Sequence, residues 1–152
     1  MVSDDKIVME IDETFLIETN KKILLRENKR TGKEVSIEVV PQNLARVFPK
    51  VSEYGTSGNI KQDLIQKATA IMAAIPWLQA FFDGNRRTSI VAAGTFLRDN
   101  GYELDISTEE ENIELREMLI EIKKHQRDLE PTIMKQLFLY VSERMNKYEP
   151  KT

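Results

Sequence analysis

The sequence predicts a mainly α-helical protein built around a central hairpin of two buried helices. Apolar residues recur at helical spacing through most of the 152 residues,. Two consecutive segments, about 60–82 and 88–99, are strongly apolar, and the turn sequence Asp83-Gly84-Asn85 separates them,. Because the chain shows no internal repeat and no interdomain linker, we expect one domain spanning residues 1–152,.

The composition narrows the classes of function. The net charge of -3 argues against a general binder of nucleic acid or anionic membranes, and the chain has no cysteine for a thiol nucleophile or a Cys-based metal site,. The apolar stretch 68–82 contains Pro76 and is shorter than the roughly 20 residues that a membrane span needs,. The acidic N-terminus is not that of a signal peptide, so we expect a cytoplasmic protein,.

The N-terminal third predicts two helices joined by an extended segment. Asp12 is a good N-cap for a helix over about 13–26, and the charged stretch 27–33 predicts a turn,. Apolar and polar residues alternate over 35–39, which predicts a short β-hairpin strand or an extended flap, with 6–11 as its expected partner,. Pro41 can start a short helix, which Pro49 is expected to end,.

The remaining helices follow from capping residues and breaks. Asn59 predicts the start of the first central helix, which Pro76 should kink or interrupt,. The second central helix is predicted over 88–99, with apolar residues on most of its circumference, so we expect it to be buried on nearly all sides,. A capping box at Ser107 predicts the next helix, and the last helix is predicted over about 131–147,.

The turn between the two central helices predicts an anion site. Unpaired backbone N–H groups and the helix dipole make the start of a helix electropositive. Arg86 and Arg87 add two full positive charges at this position. We therefore expect the loop to bind a phosphate group.

The loop sequence resembles the signature of a known family. Residues 81–88, F-F-D-G-N-R-R-T, are similar to the Fic/Doc signature, which is usually H-x-F-x-D/E-G-N-G/K-R-T in its Doc-like members. Segments 41–49, 63–69 and 96–102 also resemble parts of this family. The resemblance implies a Fic-type helical bundle that transfers part of a nucleoside triphosphate to a protein hydroxyl. Most Fic proteins transfer AMP, whereas Doc-like toxins transfer the terminal phosphate and are held inactive by a small antitoxin protein.

The resemblance also implies roles for individual residues. Asp83 would hold Mg²⁺ on the phosphates of ATP or another nucleoside triphosphate, which agrees with the preference of Mg²⁺ for carboxylates and phosphates. Gly84 and Asn85 would form the backbone nest for phosphate oxygens, and Arg87 would pair with a terminal phosphate. Arg86 stands where Doc-like members carry lysine, which favours that subgroup. The implied partners are a target protein and an antitoxin, without nucleic acid or membrane.

Gln79 departs from the family pattern, because it occupies the position of the signature histidine. The histidine would accept a proton from the attacking hydroxyl, and a glutamine amide is not basic near neutral pH. Loss of a general base costs about 10²–10⁴-fold in rate, so we expect a catalytically impaired transferase with an intact nucleotide site. The alternative is a non-enzymatic module that binds nucleotide or a partner protein. A deliberately introduced glutamine is a third explanation for this position.

A second motif resembles the family's inhibitory helix. Residues 107–112 fit the pattern S/T-x-x-x-E-G/N, in which the glutamate pairs with an arginine three residues after the first one. Here that arginine position is Ile90, so Glu111 would lack its partner. We interpret the match as a helix-capping sequence without a regulatory role.

Overall fold

The computed structural model describes residues 11–148, which contain six helices and one two-stranded sheet. The prediction of a mainly helical, Fic-type fold is confirmed. The elements in chain order are α1 (Glu13–Thr31), α2 (Pro41–Ser52), α3 (Ile60–Leu78), α4 (Asn85–Asp99), β1 (Tyr102–Leu104), α5 (Glu109–Lys124), α6 (Pro131–Arg144) and β2 (Met145–Lys147).

The helix α3 forms the centre of the core and packs against α2, α4, α5 and α6. Several of its buried residues are alanines, whose small side chains allow neighbouring helices to approach closely,. The helix α4 is less buried than predicted, because it packs on α3, α1 and β1 and leaves Val91 46% exposed. No helix within residues 11–148 is both long enough and apolar enough for a membrane crossing.

The first helix is longer than predicted. Asp12 caps it as expected, with its Oδ1 accepting a hydrogen bond from the Phe15 N–H at 2.7 Å. The helix then continues past residue 26 to Thr31, because the predicted turn begins only at Gly32, where φ is 74° and the N–H donates to the Asn28 carbonyl,. The charged stretch 27–31 is therefore the last turn of α1.

Both prolines that were expected to break helices lie inside them. The helix α2 continues through Pro49 to Ser52, and α3 continues through Pro76 to Leu78. Each proline lies in the last turn of its helix, so its missing N–H removes a single hydrogen bond from the end of the ladder. In α2, the Ser52 hydroxyl also donates to the Pro49 carbonyl at 2.6 Å and closes the last turn.

The segment 33–40 is an extended flap rather than a regular strand. Val39 forms an isolated antiparallel bridge with Phe81. The Val40 N–H donates to the Ala80 carbonyl at 2.9 Å, and the Phe82 N–H donates to the Glu38 carbonyl at 3.0 Å. The expected partner, 6–11, lies outside the described residues except for its last position. The flap therefore pairs with the loop that follows α3.

The C-terminal region differs from prediction at two boundaries. Thr108, not Ser107, is the N-cap of α5, and it exchanges hydrogen bonds with Glu111 in a capping box,. The last helix ends at Arg144, three residues before the predicted end. Met145–Lys147 instead pair with Tyr102–Leu104 in an antiparallel ladder.

Candidate functional site

The loop 79–84 joins the end of α3 to the start of α4. The helix α4 begins at Asn85 rather than at Thr88, because Gly84 has a φ of 75° and its carbonyl accepts the Thr88 N–H at 2.9 Å. No side chain caps this helix start. The N–H groups of residues 85–87 therefore lie in the first turn, where an α-helix offers no backbone acceptor. They form an electropositive cradle of the kind that the sequence predicts.

Gly84 is required at this position for two reasons. Its positive φ disfavours any L side chain, and a Cβ would lie 3.0 Å from Leu24 Cδ2 and 3.2 Å from Asn20 Nδ2,. Both neighbours belong to α1. Asn20 also donates hydrogen bonds to the Asp83 carbonyl at 2.9 Å and to the Thr88 hydroxyl at 3.0 Å. The helix α1 thus supports the loop from behind and fixes its distance from α4.

Asn85 closes the loop through its side chain. The buried Oδ1 accepts the Phe81 N–H at 2.9 Å, and Nδ2 donates to the Phe81 carbonyl at 2.8 Å. These two bonds occupy both ends of the amide. The backbone N–H of Asn85, rather than its side chain, is the group left available for a phosphate oxygen.

Asp83 is exposed, and one of its carboxylate oxygens accepts no hydrogen bond from residues 11–148. The other oxygen, Oδ1, accepts the Gly84 N–H at 2.7 Å, which orients the carboxylate beside the cradle. Among the described residues, no three His, Cys, Asp or Glu side chains group into a metal site. A single carboxylate beside a phosphate cradle fits Mg²⁺, which binds to one or two carboxylates together with substrate phosphates.

Arg87 is held by a carboxylate of α1 that the sequence does not reveal. Its Nη1 lies 2.8 Å from Glu27 Oε2, and Glu27 also pairs with Arg30. The hydrogen bond from Arg30 and the charge of Arg87 hold the pKa of Glu27 below its ordinary value,. Arg86 is exposed and forms no ion pair with a carboxylate of residues 11–148. The two arginines of the loop therefore differ: one is restrained and one is free.

Gln79 is the one non-glycine residue with a positive φ, 53°, within the described part of the chain. It is the C-cap of α3, and its side-chain Nε2 donates to the Pro76 carbonyl at 2.6 Å. Its own carbonyl accepts a hydrogen bond from Asn43 Nδ2 at 3.2 Å. The amide of Gln79 is therefore turned back on its own helix, where it satisfies a terminal carbonyl.

One open cavity of about 550 Å³ lies over the loop. All six residues that the sequence singles out line it: Gln79, Asp83, Gly84, Asn85, Arg86 and Arg87. Its other walls come from α1, the start of the flap and the C-terminal half of α5. These walls contribute Glu27, Lys33 and Lys123, which sequence reasoning missed because no local spacing connects them to the loop.

The residues considered for regulation lie elsewhere. Glu111 accepts a hydrogen bond from Arg144 Nε at 2.6 Å and from Thr108 in the capping box. It does not line the cavity, so the structure agrees with its interpretation as a capping residue.

Comparisons with known proteins place the chain in one family. The family model described as the Fic/DOC family matches residues 9–97, which include α1 to α4 up to Leu97. No curated protein and no solved structure matches the chain. Membership of this family indicates nucleotide-dependent transferase activity in general, and its proteins generally use a nucleoside triphosphate with Mg²⁺. The matched region covers more than half of the chain and contains the whole loop 79–84, so the chain belongs to the Fic/DOC family.

Proposed function

We propose that the protein binds a nucleoside triphosphate with Mg²⁺ and transfers its terminal phosphate, slowly, to a hydroxyl of a target protein. The observation that carries this proposal is the uncapped, electropositive start of α4, which opens into a cavity of about 550 Å³ beside the two arginines and the one carboxylate of the loop. A polyphosphate matches this arrangement, because backbone N–H groups and guanidinium groups both bind phosphate oxygens.

Each residue of the loop has a proposed role in binding. The backbone N–H groups of residues 85–87 contact one phosphate, and the positive φ of Gly84 sets the turn that presents these groups,. Arg87 pairs with the terminal phosphate, and Arg86 neutralises charge along the chain of phosphates. Asp83 holds Mg²⁺, which when bound neutralises phosphate charge and orients the phosphates.

The proposed reaction exchanges one P–O bond for another. The oxygen of the target hydroxyl forms a bond to the terminal phosphorus, and the bond from that phosphorus to the bridging oxygen breaks. The nucleoside diphosphate leaves, and the hydroxyl proton passes to water, because the Gln79 amide cannot accept it near neutral pH. We assign Gln79 to the position of the family's histidine base, so the reaction is expected to be about 10²–10⁴-fold slower than with a base.

Arg86 supports assignment to the Doc-like subgroup. A long cation at this position stands where Doc-like members carry lysine, and these members transfer phosphate rather than AMP. Transfer of AMP is the less favoured version of the proposal. A Doc-like protein would also have a small antitoxin as its partner, in addition to the target protein.

The replacement Gln79→His tests the missing base. Histidine tolerates the left-handed backbone of this position better than most residues, so we expect the variant to fold. Transfer of label from ATP labelled at the terminal phosphate should rise by about 10²-fold or more, whereas label at the α-phosphate should not transfer. Gln79→Gly, which removes the side chain but suits the backbone, is the control and should stay at the parent's level. Equal rates for Gln79→His and Gln79→Gly in protein that binds ATP would refute the assignment.

A second candidate function is a non-enzymatic binding module. Two observations favour it: the Gln79 amide is bonded to Pro76, and Phe82 is 62% exposed beside the flap, where a partner could cover it,. This function predicts that Arg87→Ala leaves partner binding intact while the parent itself binds no nucleotide.

A further inference from the structure

The cavity extends well beyond the loop that the family signature describes. Its lining includes Lys33, just after α1, and Lys123, near the end of α5. Lys123 lies outside residues 9–97, the part of the chain that matches the family. The site is therefore assembled from four parts of the chain, and only one of these carries the signature.

The charge of the lining is strongly biased. Four cationic side chains line the cavity, against the two carboxylates of Glu27 and Asp83, although the whole chain has a net charge of -3. Glu27 is already neutralised by its pairs with Arg87 and Arg30. The remaining positive charge attracts an anion to the cavity, since several like charges line one space,.

The two lysines are free to bind such an anion. Neither Lys33 nor Lys123 forms an ion pair with a carboxylate of residues 11–148. Lys124, the next residue in α5, shows the contrast: its Nζ pairs with Glu121 at 2.8 Å and it does not line the cavity. A favourable interaction with the helix dipole accounts for both Lys123 and Lys124 at the end of α5,. It does not explain why Lys123, which has no ion pair with a carboxylate of residues 11–148, is the one that lines the cavity.

We propose that Lys33 and Lys123 are phosphate-binding residues that hold the polyphosphate chain together with the loop. This inference rests on the proposed function and deepens it, since it makes the length of the phosphate chain the feature that the site recognises. A flexible lysine is suited to this role, because its ammonium group acts as a mobile point charge for phosphate oxygens.

The experiment measures the affinity of the full chain for ATP·Mg²⁺, AMP and inorganic tripolyphosphate by calorimetry. Lys33→Ala and Lys123→Ala should each weaken binding of ATP and tripolyphosphate by about threefold to tenfold, with a smaller effect on AMP. Lys124→Ala is the matched control and should bind all three ligands as the parent does. Thermal unfolding of each variant verifies that the fold is intact.

The outcomes separate this inference from the proposed function. If Lys33→Ala and Lys123→Ala bind ATP and tripolyphosphate as tightly as Lys124→Ala does, the inference is wrong and the nucleotide site remains. If the parent binds tripolyphosphate through both lysines but does not bind ATP, the inference holds and the proposed function is wrong. If the parent binds neither ligand, both are wrong.

Discussion

Two loops of this protein lead into core helices, and each has an aspartate beside it. The surroundings of the two aspartates are opposite. The loop before α3 encloses Asp63, whose buried carboxylate accepts hydrogen bonds from the Ser57 hydroxyl at 2.6 Å and from the backbone of Ser57 and Gly58 at 2.8 and 3.0 Å. The loop before α4 exposes Asp83, whose carboxylate accepts one hydrogen bond from Gly84. Both oxygens of the Asp63 carboxylate accept hydrogen bonds within the protein. One oxygen of the Asp83 carboxylate accepts none from the described residues, so it remains available to a ligand.

The two helix starts show the same contrast. Asn59 caps α3 by accepting the Gln62 N–H at 3.0 Å, whereas no side chain caps α4. Uncapped N–H groups cost stability unless something else binds them. The loop before α3 is therefore organised for stability, whereas the loop before α4 leaves the N–H groups of its helix start without a side-chain cap.

Replacement of Asn85 should give the largest effect. Asn85→Ala removes both partners of the buried Phe81 backbone, which should cost about 2–4 kcal/mol of unfolding free energy and abolish ATP binding. The matched control in the other loop is Asn59→Ala, which should cost about 1 kcal/mol and leave ATP binding unchanged. Denaturant unfolding together with calorimetry measures both quantities. Loss of ATP binding in Asn59→Ala, or normal ATP binding in folded Asn85→Ala, would contradict this view of the loops.

Replacement of one positive-φ glycine from each loop should separate backbone strain from close packing. At Gly58, where φ is 89° and the space is open, alanine should cost about 1 kcal/mol from strain alone,. At Gly84, an added Cβ also meets Leu24 and Asn20, so alanine should cost about 2–3 kcal/mol,. Thermal unfolding of Gly84→Ala and Gly58→Ala tests this order, and a reversed order would show that α1 does not restrain the loop.

Acid should remove the contribution of Asp63 to stability. The hydrogen bond from the Ser57 hydroxyl, helped by the backbone N–H groups of Ser57 and Gly58, holds the pKa of Asp63 below its ordinary value,. Its contribution to stability is therefore present above the unfolded pKa of about 3.9 and is lost as the pH falls through the lower folded pKa. The melting temperature of Asp63→Asn should lie below that of the parent near neutral pH, and the gap should narrow on acidification. Asp83→Asn should melt close to the parent near neutral pH, because the Asp83 carboxylate accepts a single hydrogen bond from the described residues.

Removal of the Glu27 carboxylate should give the smallest effect. Glu27 pairs with Arg87, the residue that we assign to the terminal phosphate. Because the carboxylate competes with the phosphate for this guanidinium, Glu27→Gln should tighten ATP binding by about twofold to fivefold. Glu18→Gln, an exposed position on the same helix, is the control. Weaker binding by Glu27→Gln would instead show that Glu27 positions Arg87 for the phosphate.

The sequence predicts well what depends on local patterns. The caps at Asp12 and Asn59, the central pair of helices and the residues of the loop all follow from short-range spacing or from the family signature. Helix ends were predicted less well. Pro49 is tolerated in a last turn, and the end of α6 depends on a pairing with Tyr102–Leu104 that no local pattern specifies.

Contacts between distant parts of the chain could not be predicted. Glu27 lies in α1 and Arg87 in α4, and only the packing of these two helices brings them together. The orientation of the Gln79 amide was equally hidden, because its αL conformation and its bond to Pro76 depend on how α3 ends. The loop residues that line the cavity are thus predictable from the sequence, while the contacts that restrain them require the fold.

The proposed function depends on the binding of nucleotide phosphates by the open loop before α4. Calorimetric titration of the parent with ATP·Mg²⁺, beside Arg87→Ala and Asp83→Ala, measures this binding. We predict saturable binding by the parent with a dissociation constant below about 1 mM. The affinity should be weaker by about tenfold or more in Arg87→Ala, and it should also be weaker in Asp83→Ala. No binding by the parent at millimolar ATP·Mg²⁺, or equal binding by the parent and Arg87→Ala, would contradict the proposed function.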